Sequence, residues 1–274
     1  MIVLHKYSGA GNVFVLLDGR GEDVSEFRLA ERITELCNRY CTDGLMILVD
    51  DDTLDFGMEF YNPDGSGGMM CGNGGRCIAA FADSLGIRPS DGRKYHFRAP
   101  DGPHGAEILS REKGGRKIVR LRMKDVDDFH PVLKGWYVDT GTRHYVQFVP
   151  DVEAVDVDKE GRRLRWNDVF APIGSNVNFV SRDASGVLHV RTFEKGVERE
   201  TLACGTGITA SAIADWLDRD CASDVERAAF ITTDSALRRS VRARIDDLSV
   251  DFRPDNGRIT EVFLTGPAEE IPLT

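Results

Sequence analysis

Apolar residues along this chain recur mostly at every second position, in short runs divided by glycine, and in a few windows at every third or fourth. Ile2 and Leu4 begin such an alternation, Ser8-Gly9-Ala10-Gly11-Asn12 interrupts it, and Val13 to Leu17 resumes it. That pattern predicts a strand, a glycine turn and a second strand. From Ser25 the spacing changes: Leu29, Ile33, Leu36, Cys37, Tyr40 and Cys41 fall three and four apart, the stripe of an amphipathic helix ending near Asp43-Gly44. Leu45 to Val49 and Phe56 to Tyr61 read as strands, and Asn62 to Gly68 as a long turn. A helix follows from Gly72 to Leu85, stopped by Gly86 with Pro89 beyond it. Val119, Leu121 and Met123 alternate with Arg120 and Arg122, so a half-buried strand passes there.

The second half repeats the recipe. Strand-like stretches at Tyr145 to Val149, Val177 to Val180 and Leu188 to Phe193 precede the glycine-bearing segment Ala203-Cys204-Gly205-Thr206-Gly207 and a helix from Ile208 to Leu217. Alternating strands close the chain, one through Val241, Ala243 and Ile245, another through Leu248, Val250 and Phe252. The expected class is α+β in two similar halves, each a mostly antiparallel sheet or barrel wrapped around a central glycine-led helix. The shared segment is short: Cys71-Gly72-Asn73-Gly74 and Cys204-Gly205-Thr206-Gly207 are both C-G-polar-G before a helix of small residues, 133 positions apart. Duplication would bring two such helix starts face to face across one cleft.

Composition narrows the classes. With 274 residues, 41% hydrophobic and 29% charged, the chain has the balance of a globular protein. No run approaches the roughly 20 apolar residues of a membrane span, and the N-terminal apolar patch is short for a signal peptide, so the expected location is cytoplasmic. The net charge of −10, 45 acidic against 35 basic residues with no long basic run, argues against nucleic acid, whose phosphates demand clustered Lys and Arg. The six cysteines form no zinc-knuckle pattern: Cys37 and Cys41 are four apart, Cys71 and Cys77 six apart, without histidines at ligand spacing, so no metal is expected. Cys37 and Cys41 read as core hydrophobes on the helix stripe, Cys77 as structural, and Cys221 as incidental in a polar loop after the second helix.

Cys71 and Cys204 read differently. Inverting an amino-acid α-carbon requires a base on one face and a proton donor on the other, and two opposed thiols supply both without a cofactor. A helix N-terminus favours the thiolate through its unpaired N–H groups and the positive end of its dipole. The adjacent glycines let the same amides approach a substrate carboxylate and the enolate-like charge that forms. One such segment is a weak signal; two matched copies are much stronger.

At these residues the sequence resembles the diaminopimelate epimerases, pyridoxal-independent enzymes that interconvert LL- and meso-diaminopimelate in lysine and cell-wall precursor biosynthesis. The resemblance runs nearly the full chain. Its carriers are Gly9-Ala10-Gly11-Asn12, Tyr61-Asn62-Pro63-Asp64-Gly65-Ser66, Met70 to Cys77, Asn176-Val177-Asn178-Phe179 and Glu200 to Gly207. It implies two pseudo-symmetric lobes, residues 1–122 completed by 267–274, and residues 123–266. It implies Cys71 and Cys204 as the acid/base pair, with Asn73 and the amides of Gly72, Gly205 and Thr206 holding the reacting end of the substrate. Asn12, Asn62 and Asn176 are implied substrate contacts, mostly at the distal end, and Glu194 and His144 match residues that assist near the reacting ammonium. The departures cluster in one place. Gly141-Thr142-Arg143-His144 stands for the usual Gly-Asn-Pro-His, Glu194-Lys195-Gly196 for Glu-Arg-Gly, and Asn12-Val13 for Asn-Asp. Thr142 and Lys195 occupy positions expected to read the distal carboxylate and ammonium, and lysine lacks the bidentate fork of arginine.

Bland readings stand beside these from the residues alone: loop capping for Asn12, Asn62 and Asn176, a hydrogen-bonded strand histidine for His144, a turn charge for Glu194, and a capping or solvated Arg76. The expected partners are a small-molecule amino acid, with no nucleic acid and no membrane, and a homodimer is the assembly considered. The alternatives are a cofactor-independent racemase of another amino acid such as histidine, a thiol oxidoreductase, and a non-enzymatic amino-acid binding protein.

Overall fold

The computed structural model describes residues 2–68, 70–221, 232–233 and 235–274. The chain divides into two compact units, Met1–Arg122 with Gly266–Thr274, and Met123–Thr265. The first holds β1 (Leu4–Gly9), β2 (Asn12–Asp18), α1 (Ala30–Tyr40), β3 (Leu45–Val49), β4 (Phe56–Tyr61), α2 (Gly72–Ser84), β5 (Tyr95–Ala99), β6 (Gly102–Arg111) and β7 (Lys117–Arg122). The second holds β8 (Phe129–Val132), β9 (Gly135–Asp139), β10 (Arg143–Phe148), α3 (Val157–Arg165), β11 (Asn176–Arg182), β12 (Leu188–Glu194), β13 (Arg199–Thr201), α4 (Gly205–Asp220), β14 (Leu237–Arg242), β15 (Asp247–Asp255) and most of β16 (Arg258–Ile271). The fold is α+β, as its sequence pattern predicts.

Strand pairing exposes a repeat much longer than the two cysteine motifs. From β1 to β7 the successive pairs run antiparallel, parallel, antiparallel, parallel, antiparallel, antiparallel. From β9 through β10, β11, β12, β14 and β15 to β16 the order is the same. Each set is preceded by an antiparallel neighbour, the end of β16 beside β1 and β8 beside β9. A parallel pair needs a crossover, and the crossovers carry the helices. Thus α1 and α3 are equivalent, and so are α2 and α4.

Strand alternation sends side chains to two faces, and each face packs one helix. In the first unit Val15, Leu17, Leu45 and Ile47 pack with Ile33, Leu36 and Cys37 of α1. In the second, Tyr145, Val177, Phe179 and Phe193 pack with Val157 and Leu164 of α3. The other face meets α2 or α4, whose residues from Gly72 to Ala82 and from Gly207 to Leu217 are buried on every side. A helix with no solvent face, rich in Gly, Ala, Ser and Thr, is the core of its sheet.

Several expected boundaries move. The first helix breaks at Leu29, which is extended (φ −74°, ψ 129°) between a 3-10 turn, Ser25–Arg28, and α1. The break turns Phe27 into the core beside Ile33 and leaves Leu29 60% exposed. Cys41 ends α1 in the left-handed region (φ 50°) and is exposed rather than on the apolar stripe. The early glycine turn shrinks to Ala10 and Gly11, both at positive φ, because Gly9 pairs with Asn12 in a two-residue hairpin. Val241, Ala243 and Ile245 do not share a strand: β14 stops at Arg242, the Ala243 N–H donates to the Asp246 carbonyl, and Ile245 is exposed at the tip. Cys221 is buried at the end of α4, and the polar loop expected to hold it falls at 222–231, outside the described residues.

Candidate active site

Cys71 and Cys204 are the N-cap residues of α2 and α4, in extended backbone at φ −118° and −120°. Both helices lie in the crossover after the fourth strand of the repeat, so the two cysteines are equivalent by topology as well as by motif. Their surroundings differ. The Cys71 sulfur accepts the Gly74 N–H at 3.2 Å, the place usually held by a Ser, Thr or Asp oxygen. That bond strengthens when its acceptor is a thiolate. The Cys204 sulfur makes no such cap bond and lies 3.4 Å from the Thr206 hydroxyl.

Around Cys71, the amide of Asn73 donates to Asn12 Oδ1 at 2.5 Å, and Asn12 Nδ2 donates to Asp43 at 3.2 Å. Asp43 also takes the Val13 N–H at 2.9 Å. Behind them sits Arg76, fully buried, and neither a cap at the helix surface nor solvated. Its guanidinium donates to the carbonyls of Gly72 at 3.0 Å and Pro267 at 3.3 Å, and to Asn73 Oδ1 at 3.0 Å. This cation therefore orients the Asn73 amide and ties the α2 start to the returning C-terminal segment. Next to it, burial pushes the Cys77 thiol up to about 12, with the Arg76 charge opposing, so Cys77 stays protonated near neutral pH. Asn62 closes its own loop, its amide donating to Ser66 Oγ at 3.0 Å and the Gly67 carbonyl at 3.3 Å.

In the second unit, Asn176 spans two segments: its amide donates to the Arg143 carbonyl at 2.8 Å and its Oδ1 accepts the Lys195 N–H at 2.8 Å. Both ends of that side chain are thus engaged by backbone, and they fix the turn that carries Glu194 and Lys195. Glu194, at the end of β12, accepts from Thr201 Oγ1 at 2.9 Å, while Lys195 is exposed. His144 is wholly buried, and burial drives its pKa down to about 3, so its ring is neutral. Nδ1 lies 3.0 Å from Asn178 Nδ2; Nε2 lies 2.9 Å from Thr142 Oγ1 and 3.0 Å from Thr206 Oγ1. Thr206 is held in turn by Thr140, whose hydroxyl donates to its carbonyl at 3.1 Å.

The structure thus gathers Asn12, Asn73 and the Cys71 helix start in one unit, and His144, Thr206 and Cys204 in the other, with Asn176, Glu194 and Lys195 joined through a turn. Asn62 stands apart from the Asn12–Asn73 pair in its hydrogen bonding. Asn178 is the residue that reading the sequence leaves without a role. Its signal was present: two positions after Asn176 on one strand, it shares that residue's face, opposite the face where Val177 and Phe179 meet α3. Asp43 carries no comparable signal, since a helix-ending Asp-Gly is an ordinary turn. Among the described residues no group of three or more His, Cys, Asp or Glu side chains gathers to hold a metal, and no helix is long and apolar enough to cross a membrane.

The sequence profile of the diaminopimelate epimerase family matches residues 4–121 and 136–230. The chain belongs to the diaminopimelate epimerase family. A relative in Flavobacterium psychrophilum, named diaminopimelate epimerase, is 38% identical over 269 residues, 97% of this chain and 96% of that one. Those of Chlorobaculum tepidum and Aquifex aeolicus, with the same name, are 38% and 37% identical over 96% and 97% of this chain, and 97% and 94% of theirs. Likeness of fold reaches beyond the diaminopimelate epimerase family. A phenazine biosynthesis protein of the PhzF family from Bacillus anthracis aligns with TM-score 0.72 at 13% identity, over 98% of this chain and 96% of that one. A probable proline racemase from Agrobacterium radiobacter aligns with TM-score 0.65 at 16% identity, over 99% and 91%. At such identities these neighbours speak for the fold alone.

Proposed function

We propose that this chain is an isomerase that interconverts LL- and meso-diaminopimelate by transferring the α-proton between two cysteines. The observation that carries the reading is the matched pair of helix N-cap cysteines at equivalent places in a duplicated fold, in a chain 38% identical over nearly its whole length to a protein named diaminopimelate epimerase. Cys71 and Cys204 serve as base and acid, exchanging roles with direction: a thiolate takes the α-proton from one face while a thiol delivers one to the other. The first-turn amides, with Gly72, Asn73, Gly205 and Thr206, hold the α-carboxylate and the negative charge that grows on it. Glu194 faces the reacting ammonium, and Asn12, Asn62, Asn176 and Lys195 read the rest of the substrate. Base and acid are both side chains, so the reaction asks for no cofactor, and its substrate is a small amino acid rather than a macromolecule.

The test is α-proton exchange. Purified, reduced protein in D2O without pyridoxal phosphate should place deuterium at the α-carbon of LL-diaminopimelate and produce the meso isomer. Cys71→Ala and Cys204→Ala should each lose inversion by roughly 100- to 10,000-fold, the contribution of one general acid or base, because both proton transfers are obligate. Full turnover in either variant would remove the two-base mechanism. If diaminopimelate stays unlabelled while another amino acid, histidine among them, is labelled, the altered Thr142, Arg143 and Lys195 have changed the substrate and left the chemistry intact.

A further inference from the structure

The hydrogen bonds around His144 have a direction that can be worked out atom by atom. A carbonyl only accepts, so the Asn178 atom 3.2 Å from the Tyr145 carbonyl is its amide nitrogen. Asn178 Oδ1 on the other side takes the Thr192 hydroxyl at 2.9 Å, which agrees with that orientation. The same nitrogen lies 3.0 Å from His144 Nδ1, so Nδ1 is an acceptor and the ring proton sits on Nε2. Nε2–H then donates from inside the protein into a pair of hydroxyls, Thr142 and Thr206, which lie 3.1 Å apart. A pair of hydroxyls that receives one hydrogen from within and uses one between its members has one left to give outward. With Thr142 donating to Thr206, the outward hydrogen is that of Thr206, and the atom it meets at 3.4 Å is the Cys204 sulfur.

We propose that His144 is a positioning residue that never touches substrate: held by Asn178 as the neutral Nε2–H tautomer, it polarises the Thr142–Thr206 hydroxyl pair so that Thr206 donates to Cys204 and holds that sulfur as a thiolate. The geometry also explains why the two cysteines need different help. Cys71 takes a backbone N–H, whereas beside Cys204 stands a side-chain hydroxyl whose direction is set from behind. Thr142 thus belongs to the Cys204 side of the reaction. The role of the relay in turnover rests on the proposed epimerase reading, while its effect on the sulfur does not.

The test is alkylation of the resting protein by iodoacetamide across pH, with the labelled cysteine identified by mass spectrometry, so that no substrate is involved. Thr206→Val should raise the Cys204 midpoint by about one pH unit, since a hydrogen bond to a charged group is worth roughly a factor of ten or more, and should leave the Cys71 midpoint in place. Thr206→Ser should restore it. Thr142→Val should give a smaller rise, and the double valine variant no more than Thr206→Val alone, because the hydroxyls act in series. Nitrogen-15 NMR should show His144 with Nε2 protonated and Nδ1 bare from about pH 5 to 8. A Cys204 midpoint unmoved in Thr206→Val, an additive double variant, or a proton on Nδ1 would each overturn the relay. Absence of α-deuterium exchange beside a shifted midpoint would instead remove the epimerase reading and leave the relay standing.

Discussion

The two glycine pairs show how unequal matched residues become once they are packed. A methyl group at Gly74 would sit 3.3 Å from the Cys71 sulfur and 3.4 Å from Met46 Sδ, two soft atoms that yield by a few tenths of an ångström. A methyl group at Gly207 would overlap Asn178 Oδ1 and press on the His144 ring, which the buried network cannot yield. Gly207→Ala should therefore cost about 1–3 kcal/mol in urea unfolding, as overpacking does, whereas Gly74→Ala should keep its stability and lose turnover through a displaced sulfur. Equal losses of stability in both variants would contradict this difference. The neutral His144 also leaves a mark in acid. Its folded pKa, near 3, lies below the ordinary value of 6.5, so between those pH values the unfolded chain binds the proton and the folded chain does not. Stability from this group is complete above about pH 6.5 and falls by about 1.4 kcal/mol per pH unit as pH drops towards 3. Unfolding measured at pH 7 and pH 5 should show wild type losing more than His144→Gln by roughly that slope.

At the scale of elements, the helix that begins at Cys71 is set at both ends. The C-terminal turn of α2 is closed by Lys117, nearly buried, whose Nζ donates to the Ala80 carbonyl at 2.7 Å and to Ser84 Oγ at 2.6 Å and pairs with Asp83 at 3.0 Å. A cation there completes the helix dipole whose other end faces Cys71. Lys117→Met keeps the length and removes the charge; thermal unfolding should show a loss of about 3 kcal/mol, the range for breaking a buried pair. Asp83 also accepts from Arg111 Nε at 2.9 Å and the Tyr95 hydroxyl at 3.1 Å, and an unchanged melting temperature would show that these two suffice for it. The cysteine helices were legible in sequence because glycine and small residues are strong local signals, and β1, β2, β3, β4, β11 and β12 because short apolar runs, alternating or, as in Leu45–Val49, unbroken, end at turn residues. The strands β5, β6, β8, β9, β13 and β16 and the helix α3 were not. In α3 the buried residues are Val157, Gly161, Leu164 and one arginine, Arg165, among charges that mask the period. Arg76 misled for a related reason: a lone arginine in a helix reads as a surface residue, and only the fold reveals three acceptors waiting for it.

At the scale of the molecule, duplication was visible in eight residues of sequence and extends through seven successive strand pairings in each unit. How the repeat is completed does not show in the apolar pattern; only the family resemblance implied that residues 267–274 return to the first lobe. The first unit borrows Gly266–Thr274, through which Lys6 pairs with Ile271, Tyr7 with Glu270 and Ser8 with Glu269, and Arg76 finds the Pro267 carbonyl. Removing residues 267–274 should therefore lower the melting temperature and speed proteolysis within residues 1–122, while cleavage within residues 123–221 stays slow. Uniform cleavage across both units would show that the segment serves the whole chain instead.

Chains leave the ribosome from their N-terminus, and domains generally close in that order. This one inverts it. The half that carries Cys71 is made before the other, yet β1 lacks its β16 neighbour and Arg76 one of its three acceptors until residues 266–274 appear, whereas residues 123–265 are contiguous. An open strand edge is the kind of surface that recruits wrong partners. Of the two units, the one made earlier is thus the one that spends longer incomplete during synthesis.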